Sequence, residues 1–271
     1  MPTAKTEYKN GPDGYPARVV GPWVDRKTHY VDNLASIFAT GMKNKWPRRA
    51  YVELFAGPGL SWDRKNRRFV EGSALRALRR EFTDFAFVDV DAAAVDALEH
   101  RIAALNVERQ PRVLPPMDCS DAVPQLRAAI PARALTLAFI DPTTWQVRLD
   151  TIGALSDGRS MDLLVTFHIG AMKRVAHLHP RTLNEFFGTA GWREILRGPQ
   201  WQRRGGLAEL YNRQLEQFGY VSGSHAHRVP VSNTRGALMY ELIAFSKNPV
   251  GIDFWRKAMN VDERGQRGFW E

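Results

Sequence analysis

Three features of the 271-residue sequence predict an α/β fold with a doubly wound, mostly parallel sheet and helices on both faces. Apolar runs of strand length, at 51–55, 85–90, 112–114, 135–140 and 161–168, are separated by stretches of helical or turn character. The first run leads into Gly57-Pro58-Gly59, a turn of the kind that opens a ligand crevice in such sheets. Acids stand in or just after several of these runs: Glu53, Asp89 and Asp141.

Residues 1–22 are rich in Gly, Pro and polar groups and read as a flexible N-terminal arm. From Trp23 to about Met42 the apolar residues Tyr30, Leu34, Ile37 and Phe38 fall three and four apart, which predicts a helix preceding the sheet. The first strand carries Tyr51, Val52, Leu54 and Phe55, with Glu53 as an acid that needs a partner if buried. Residues 60–72 then delay the expected helix, so they read as an inserted loop or hairpin beside the crevice. Ser73 is a plausible N-cap for that helix. The second strand ends at Asp89 and Val90, and Asp91 is placed to cap the helix after it. A short third strand leads to Met117, Asp118 and Cys119, and the fourth ends in Asp141-Pro142-Thr143-Thr144-Trp145.

Residues 171–235 change character, and short helices there read as a cap on the sheet or a cover for the crevice. His177 and His179 are two apart and lack a completing ligand set, so no metal site is expected. Runs at 229–231 and 238–246 predict paired late strands, Pro249 and Gly251 a break, and 254–259 the start of a last helix. The expected organisation is an arm at 1–22, one domain over 23–260, and a polar tail at 261–271.

Composition narrows the function. Hydrophobic content of 44% and charged content of 25% are those of a soluble globular chain. No apolar run has the length of a membrane span, and the N-terminus lacks a signal-peptide core, so a cytoplasmic location is expected. The single cysteine, Cys119, excludes an internal disulfide and a cysteine-based zinc site. A net charge of +9 favours an anionic partner, nucleic acid among them. Arg64, Lys65, Arg67 and Arg68, flanked by Trp62 and Phe69, could follow a phosphate backbone or form an ordinary solvated loop. The absence of G-x-x-x-x-G-K-[ST] and G-x-S-x-G removes support for phosphoryl transfer and serine-nucleophile chemistry.

Asp89, at the carboxyl end of the second strand, suits the two hydroxyls of a ribose. The strand, glycine turn, helix, strand, acid order resembles motif I and its sequel in the S-adenosylmethionine (SAM) dependent methyltransferases. More narrowly, the chain resembles the three-Cys-motif partner family (TcmP). That resemblance rests on Trp23, Lys27 and Tyr30, on YVELFAGPG, EGSAL, FVDVD and FIDP, and on MYELIAFSKNPVG near the end.

The resemblance implies a Rossmann-like methyltransferase fold with an N-terminal helical extension and inserted cap elements. It implies SAM as cofactor, held by Glu53, Phe55, Gly57, Gly59, Asp89, Val90, Asp118 and Cys119. Asp118 would meet the adenine. Asp141 and the Pro142 carbonyl would orient an acceptor amine, and Trp145 would stack on a base. A neighbouring three-Cys-motif protein is the implied partner. Thr143 and Thr144 stand where the family has an aromatic and a glycine. Three readings therefore stay open: a nucleic-acid methyltransferase, RNA ahead of DNA; a non-catalytic partner subunit; and a small-molecule or peptide methyltransferase.

Overall fold

The computed structural model describes residues 6–107, 110–170, 172–262 and 266. In chain order the strands and first helices are β1 (Tyr8–Asn10), β2 (Pro16–Val20), α1 (Val24–Gly41), β3 (Arg49–Leu54), β4 (Leu60–Asp63), β5 (Arg68–Glu71), α2 (Ser73–Ala77), β6 (Asp84–Val88), α3 (Ala92–Ala104) and β7 (Arg112–Val113). There follow α4 (Val123–Ala129), β8 (Leu135–Ile140), α5 (Leu149–Ser156), β9 (Met161–Phe167), α6 (Met172–Val175), α7 (Pro180–Phe187), α8 (Trp192–Arg197), α9 (Gln200–Glu216), β10 (Arg228–Ser232), β11 (Leu238–Phe245) and α10 (Pro249–Met259).

Seven strands form the main sheet in the order β10-β11-β9-β8-β3-β6-β7. β3, β6, β7, β8 and β9 run parallel, and β11 is antiparallel to both β9 and β10. The doubly wound architecture of the sequence reading is therefore present. Side chains alternate across each strand, so the two faces can be assigned by parity. Val52, Leu54, Ala138, Leu163, Val165 and Phe167 pack with α4, α5 and α7–α9 on one face. Tyr51, Phe87, Leu137, Phe139, Leu164 and Leu242 pack with α1, α2, α3 and α10 on the other.

A second sheet of four strands, β1-β2-β4-β5, lies outside the main one. It corrects the expectation of a flexible arm over residues 6–22; residues 1–5 lie outside the described residues. β2 pairs in parallel with β4 through Arg18 with Ser61 and Val19 with Trp62. Arg101 of α3, only 6% exposed, fixes the segment from below. Its guanidinium donates to both Asp13 carboxylate oxygens, to the carbonyls of Tyr15 and Pro16, and to that of Pro58 in the glycine turn. Tyr15 also stacks on His100, ring centroids 4.1 Å apart. A buried guanidinium with its donors satisfied holds this otherwise polar stretch in place.

The 60–72 insertion is the expected hairpin, β4 with β5. Its two ends meet where the Gly72 amide donates to the Gly59 carbonyl at 2.8 Å. Two local expectations change. Gly72 is the N-cap of α2, and Ser73 is the first helical residue with its hydroxyl turned to Glu53. The late strand ends before Pro249 as expected, but the last helix starts at Pro249 rather than at 254, behind an Asn248 cap that accepts from the Val250 amide. Helices of 171–235 pack on the sheet face, where Phe167, Phe186, Phe187 and Tyr211 form an aromatic cluster. Most of the tail at 261–271 lies outside the described residues.

Candidate functional site

Parity gathers the site. Tyr51 and Glu53 share a face of β3; Phe139 and Asp141 continue one parity off β8; Leu164, Thr166 and His168 do so on β9; Leu242 and Tyr240 do so on β11. All belong to the face covered by α1 and α2, and β3, β8 and β9 end at one edge of the sheet. There a cavity of about 250 Å³ is lined by Glu53, Asp141, Thr166, His168 and Tyr240 from the sheet. Its glycine-turn wall is Phe55 to Gly59. Its roof is Arg18, Val19 and Val20 of β2, Leu60 and Ser61 of β4, and Trp23 and Lys27 at the start of α1.

The turn is conformationally special. Phe55, Gly57 and Gly59 have φ of 69°, 62° and 77°. Positive φ is strained for phenylalanine and free for glycine. At Gly57 no atom lies within 4 Å of where a Cβ would stand, which leaves room for a ligand against the backbone. At Gly59 a Cβ would meet Leu98 Cδ1 at 2.9 Å, so this glycine serves close packing of the turn.

Glu53 is buried, 1% exposed, and accepts from the Tyr51 hydroxyl at 2.9 Å and from the Ser73 hydroxyl. Burial pushes its carboxyl up to about 8, against the opposing pull of these two donors. Asp141 is held on both oxygens: Lys27 Nζ donates to Oδ2 at 2.6 Å and the Thr166 hydroxyl to Oδ1 at 2.6 Å. Asp89 lies outside the cavity lining. Its Oδ2 accepts from the Gly57 amide at 2.7 Å and its Oδ1 from the Asp91 amide at 3.0 Å. Glu53 thus lines the cavity while Asp89 stands outside it, the two joined through Gly57.

The other expected cofactor residues form an open rim. Val90 is 66% exposed. The Met117 amide donates to the Asp89 carbonyl at 3.1 Å, bringing the 115–118 loop beside it. Asp118 is exposed and accepts from the Ser120 amide at 2.8 Å. Cys119 is a correction: its side chain belongs to the core with Leu114, Ala122 and Leu126, and burial pushes its thiol up to about 12.

Two acceptor-side expectations are also corrected. Trp145 is a core residue, 5% exposed, whose indole donates to the His168 carbonyl at 2.8 Å, so it presents no face to a base. The Pro142 carbonyl already lies 2.7 Å from His168 Nε2. Sequence reasoning missed Thr166, His168, Tyr240 and Arg18. The alternation of apolar and polar positions in VTFH and MYEL was the signal available for the first three.

Of the expected cationic group, Arg64 pairs with Glu7 and Arg68 with Asp25. Lys65 and Arg67 are exposed at the hairpin turn, which Asp63 holds by accepting from the Lys65 and Asn66 amides. Trp62 is engaged by Lys9, 3.6 Å over its ring, and by Phe69.

No family model and no curated protein matches the sequence. Solved structures do match in shape. An O-methyltransferase from Bacillus cereus in complex with SAH is 9% identical, with a TM-score of 0.50, over 81% of this chain and 80% of that one. The protein LPL1258 from Legionella pneumophila is 12% identical, also with a TM-score of 0.50, over 90% of this chain and 94% of that one. This chain has a Rossmann-like methyltransferase fold. No helix among the described residues is long and apolar enough to cross a membrane.

Proposed function

We propose that this protein is a SAM-dependent methyltransferase whose acceptor is carried on nucleic acid, RNA ahead of DNA. One observation carries the reading: the glycine turn, opened by positive φ, stands between a buried carboxylate and a rim carboxylate that grips its amide. The residues fit such a donor. Glu53 would take the ammonium of the methionine moiety, and Gly57 leaves space for the chain of the ligand. Asp89 keeps lone pairs for ribose hydroxyls beyond its two amide bonds, and Val90 offers an exposed apolar surface to a flat ring. When bound, SAM supplies a methyl group on a good leaving group, so this chain's main task is positioning. Lys27 and Thr166 fix Asp141 at the acceptor side, and β2 and β4 cover part of the cavity.

Support for a polymeric acceptor is the groove beside the cavity. It is lined by Trp23, Arg64, Lys65 and Thr234, and shares Val19, Val20 and Trp23 with the cavity itself. A small-molecule acceptor is the second reading, favoured by the modest cavity of about 250 Å³. A three-Cys-motif protein as partner belongs with the first reading.

Calorimetry with SAM, then radiolabelled methyl transfer to total RNA and genomic DNA with and without that partner, tests the proposal. Asp89→Ala is expected to weaken SAM about a hundredfold, the loss of two charge-assisted hydrogen bonds. Unchanged affinity removes the ribose role, and no binding heat with the wild-type chain overturns the donor. Transfer that survives Lys65→Ala and does not fall with salt favours the small molecule.

A further inference from the structure

His168 and Tyr240 line the cavity without a role in holding the donor, and they point to the chemistry of the acceptor; the inference rests on the methyl-transfer reading. His168 Nε2 lies 2.7 Å from the Pro142 carbonyl. A carbonyl oxygen only accepts, so Nε2 carries the proton and Nδ1 keeps its lone pair. No group among the described residues bonds Nδ1. The ring is held against Tyr240, centroids 5.2 Å apart, while Trp145 fixes the His168 carbonyl. Burial lowers the imidazole below its ordinary value, the Asp141 carboxylate at the end of β8 and the bond to the Pro142 carbonyl oppose this, and Lys27 of α1 and Arg18 of β2 reinforce it; Glu53 is the further acid on the same cavity. His168 is therefore neutral at neutral pH.

Tyr240 adds an independent observation. It is 4% exposed, and its hydroxyl is buried with no hydrogen-bond partner among the described residues. Of the buried side chains with such an unpartnered atom, it is the one that lines this cavity. A buried donor left unmade is costly, and a ligand oxygen in the cavity would satisfy it.

We propose that His168 Nδ1 is the base that takes the proton of the acceptor atom, and that the acceptor is a ring N–H or a hydroxyl rather than an exocyclic amine. An exocyclic amine can attack first and lose its proton afterwards. A ring N–H has its in-plane electron pair tied up in the N–H bond, and a hydroxyl is a poor nucleophile until the proton leaves. The acceptor atom gives its proton to Nδ1 and its freed electron pair to the methyl carbon, displacing the thioether with the pair of the broken carbon–sulfur bond. The imidazolium then returns the proton to solvent. Tyr240 donates to an oxygen beside the reacting atom, or to the reacting oxygen itself.

Nitrogen-15 NMR of the histidine-labelled full chain is expected to show His168 with Nε2 protonated, Nδ1 bare, and titration below 6.5. His168→Asn is expected to lower transfer to total RNA about a hundredfold, with SAM affinity within about threefold by calorimetry. Tyr240→Phe is expected to cost about tenfold. Digestion of the RNA product distinguishes the two sources, giving 2′-O-methyl nucleosides for a hydroxyl and ring-N-methyl nucleosides for a ring N–H. A methylated exocyclic amine overturns the proposal, as does a protonated Nδ1 or unimpaired transfer by His168→Asn. SAM binding without any transfer to RNA overturns this acceptor while leaving the donor reading standing; no SAM binding overturns the donor reading and this base with it. Should His168→Asn fail to fold, the NMR result and Tyr240→Phe decide.

Discussion

The floor and the roof of the cavity are made in different ways. The floor is the edge of the main sheet, where strand parity alone places Glu53, Asp141, Thr166, His168 and Tyr240 on one side. The roof is β2, β4 and the start of α1, held by contacts between segments far apart in sequence, above all Arg101 with Asp13. A floor set by a short-range rule keeps its geometry under single substitutions. A roof set by one buried guanidinium does not. The difference assigns chemistry to the floor and enclosure to the roof.

The strongest way to break this comparison is at Asp141. Asp141→Asn leaves Lys27 without a counter-charge at the acceptor side, and transfer is expected to fall about a hundredfold with SAM affinity nearly kept. Labelled transfer and calorimetry on one preparation check it; a loss confined to affinity would move Asp141 to the donor side. Next is Arg101→Met, expected to destabilise the roof by about 3 kcal/mol and expose residues 6–22 to limited proteolysis while the sheet melts as before. If melting and cleavage shift together, floor and roof are one cooperative unit.

The third prediction concerns pH. Burial in the folded protein raises the Glu53 carboxyl from its ordinary 4.5 to about 8. Between those values the folded state holds a proton that the unfolded state has lost. The contribution of Glu53 to stability is therefore full below 4.5 and is lost as pH rises through about 8. Asp162, raised to about 6, adds to the same slope, so the difference between wild type and Glu53→Gln melting curves across pH isolates Glu53. An ammonium bound to Glu53 should also expel its proton, read as binding heat that depends on buffer ionisation enthalpy and is flat in Glu53→Gln. The smallest effect is Trp145→Phe: about 1 kcal/mol of stability for the lost indole hydrogen bond, with SAM affinity unchanged.

The sheet was legible because its strands are buried on both faces and read as apolar runs such as LTLAFI and DLLVTF. The glycine turn, Glu53 and Asp89 were legible because acids and glycines at strand ends are local signals. The roof was not, since nothing near Asp13 announces a partner at Arg101, 88 residues on. Trp145 was misplaced because an aromatic after Asp-Pro looks the same in sequence whether it faces a ligand or the core. Thr166, His168 and Tyr240 were obscured by lying inside runs read only for their apolar members.

The Gly59 carbonyl and the Gly72 amide, 2.8 Å apart, close the insertion at its base. The polypeptide departs from the turn and rejoins it at the same point, so everything from Leu60 to Glu71 is a graft on an uninterrupted stem. Because Leu60 and Ser61 at its near end also line the cavity, the graft's base is tied to the space below while its far tip at Lys65 and Arg67 stays clear of it.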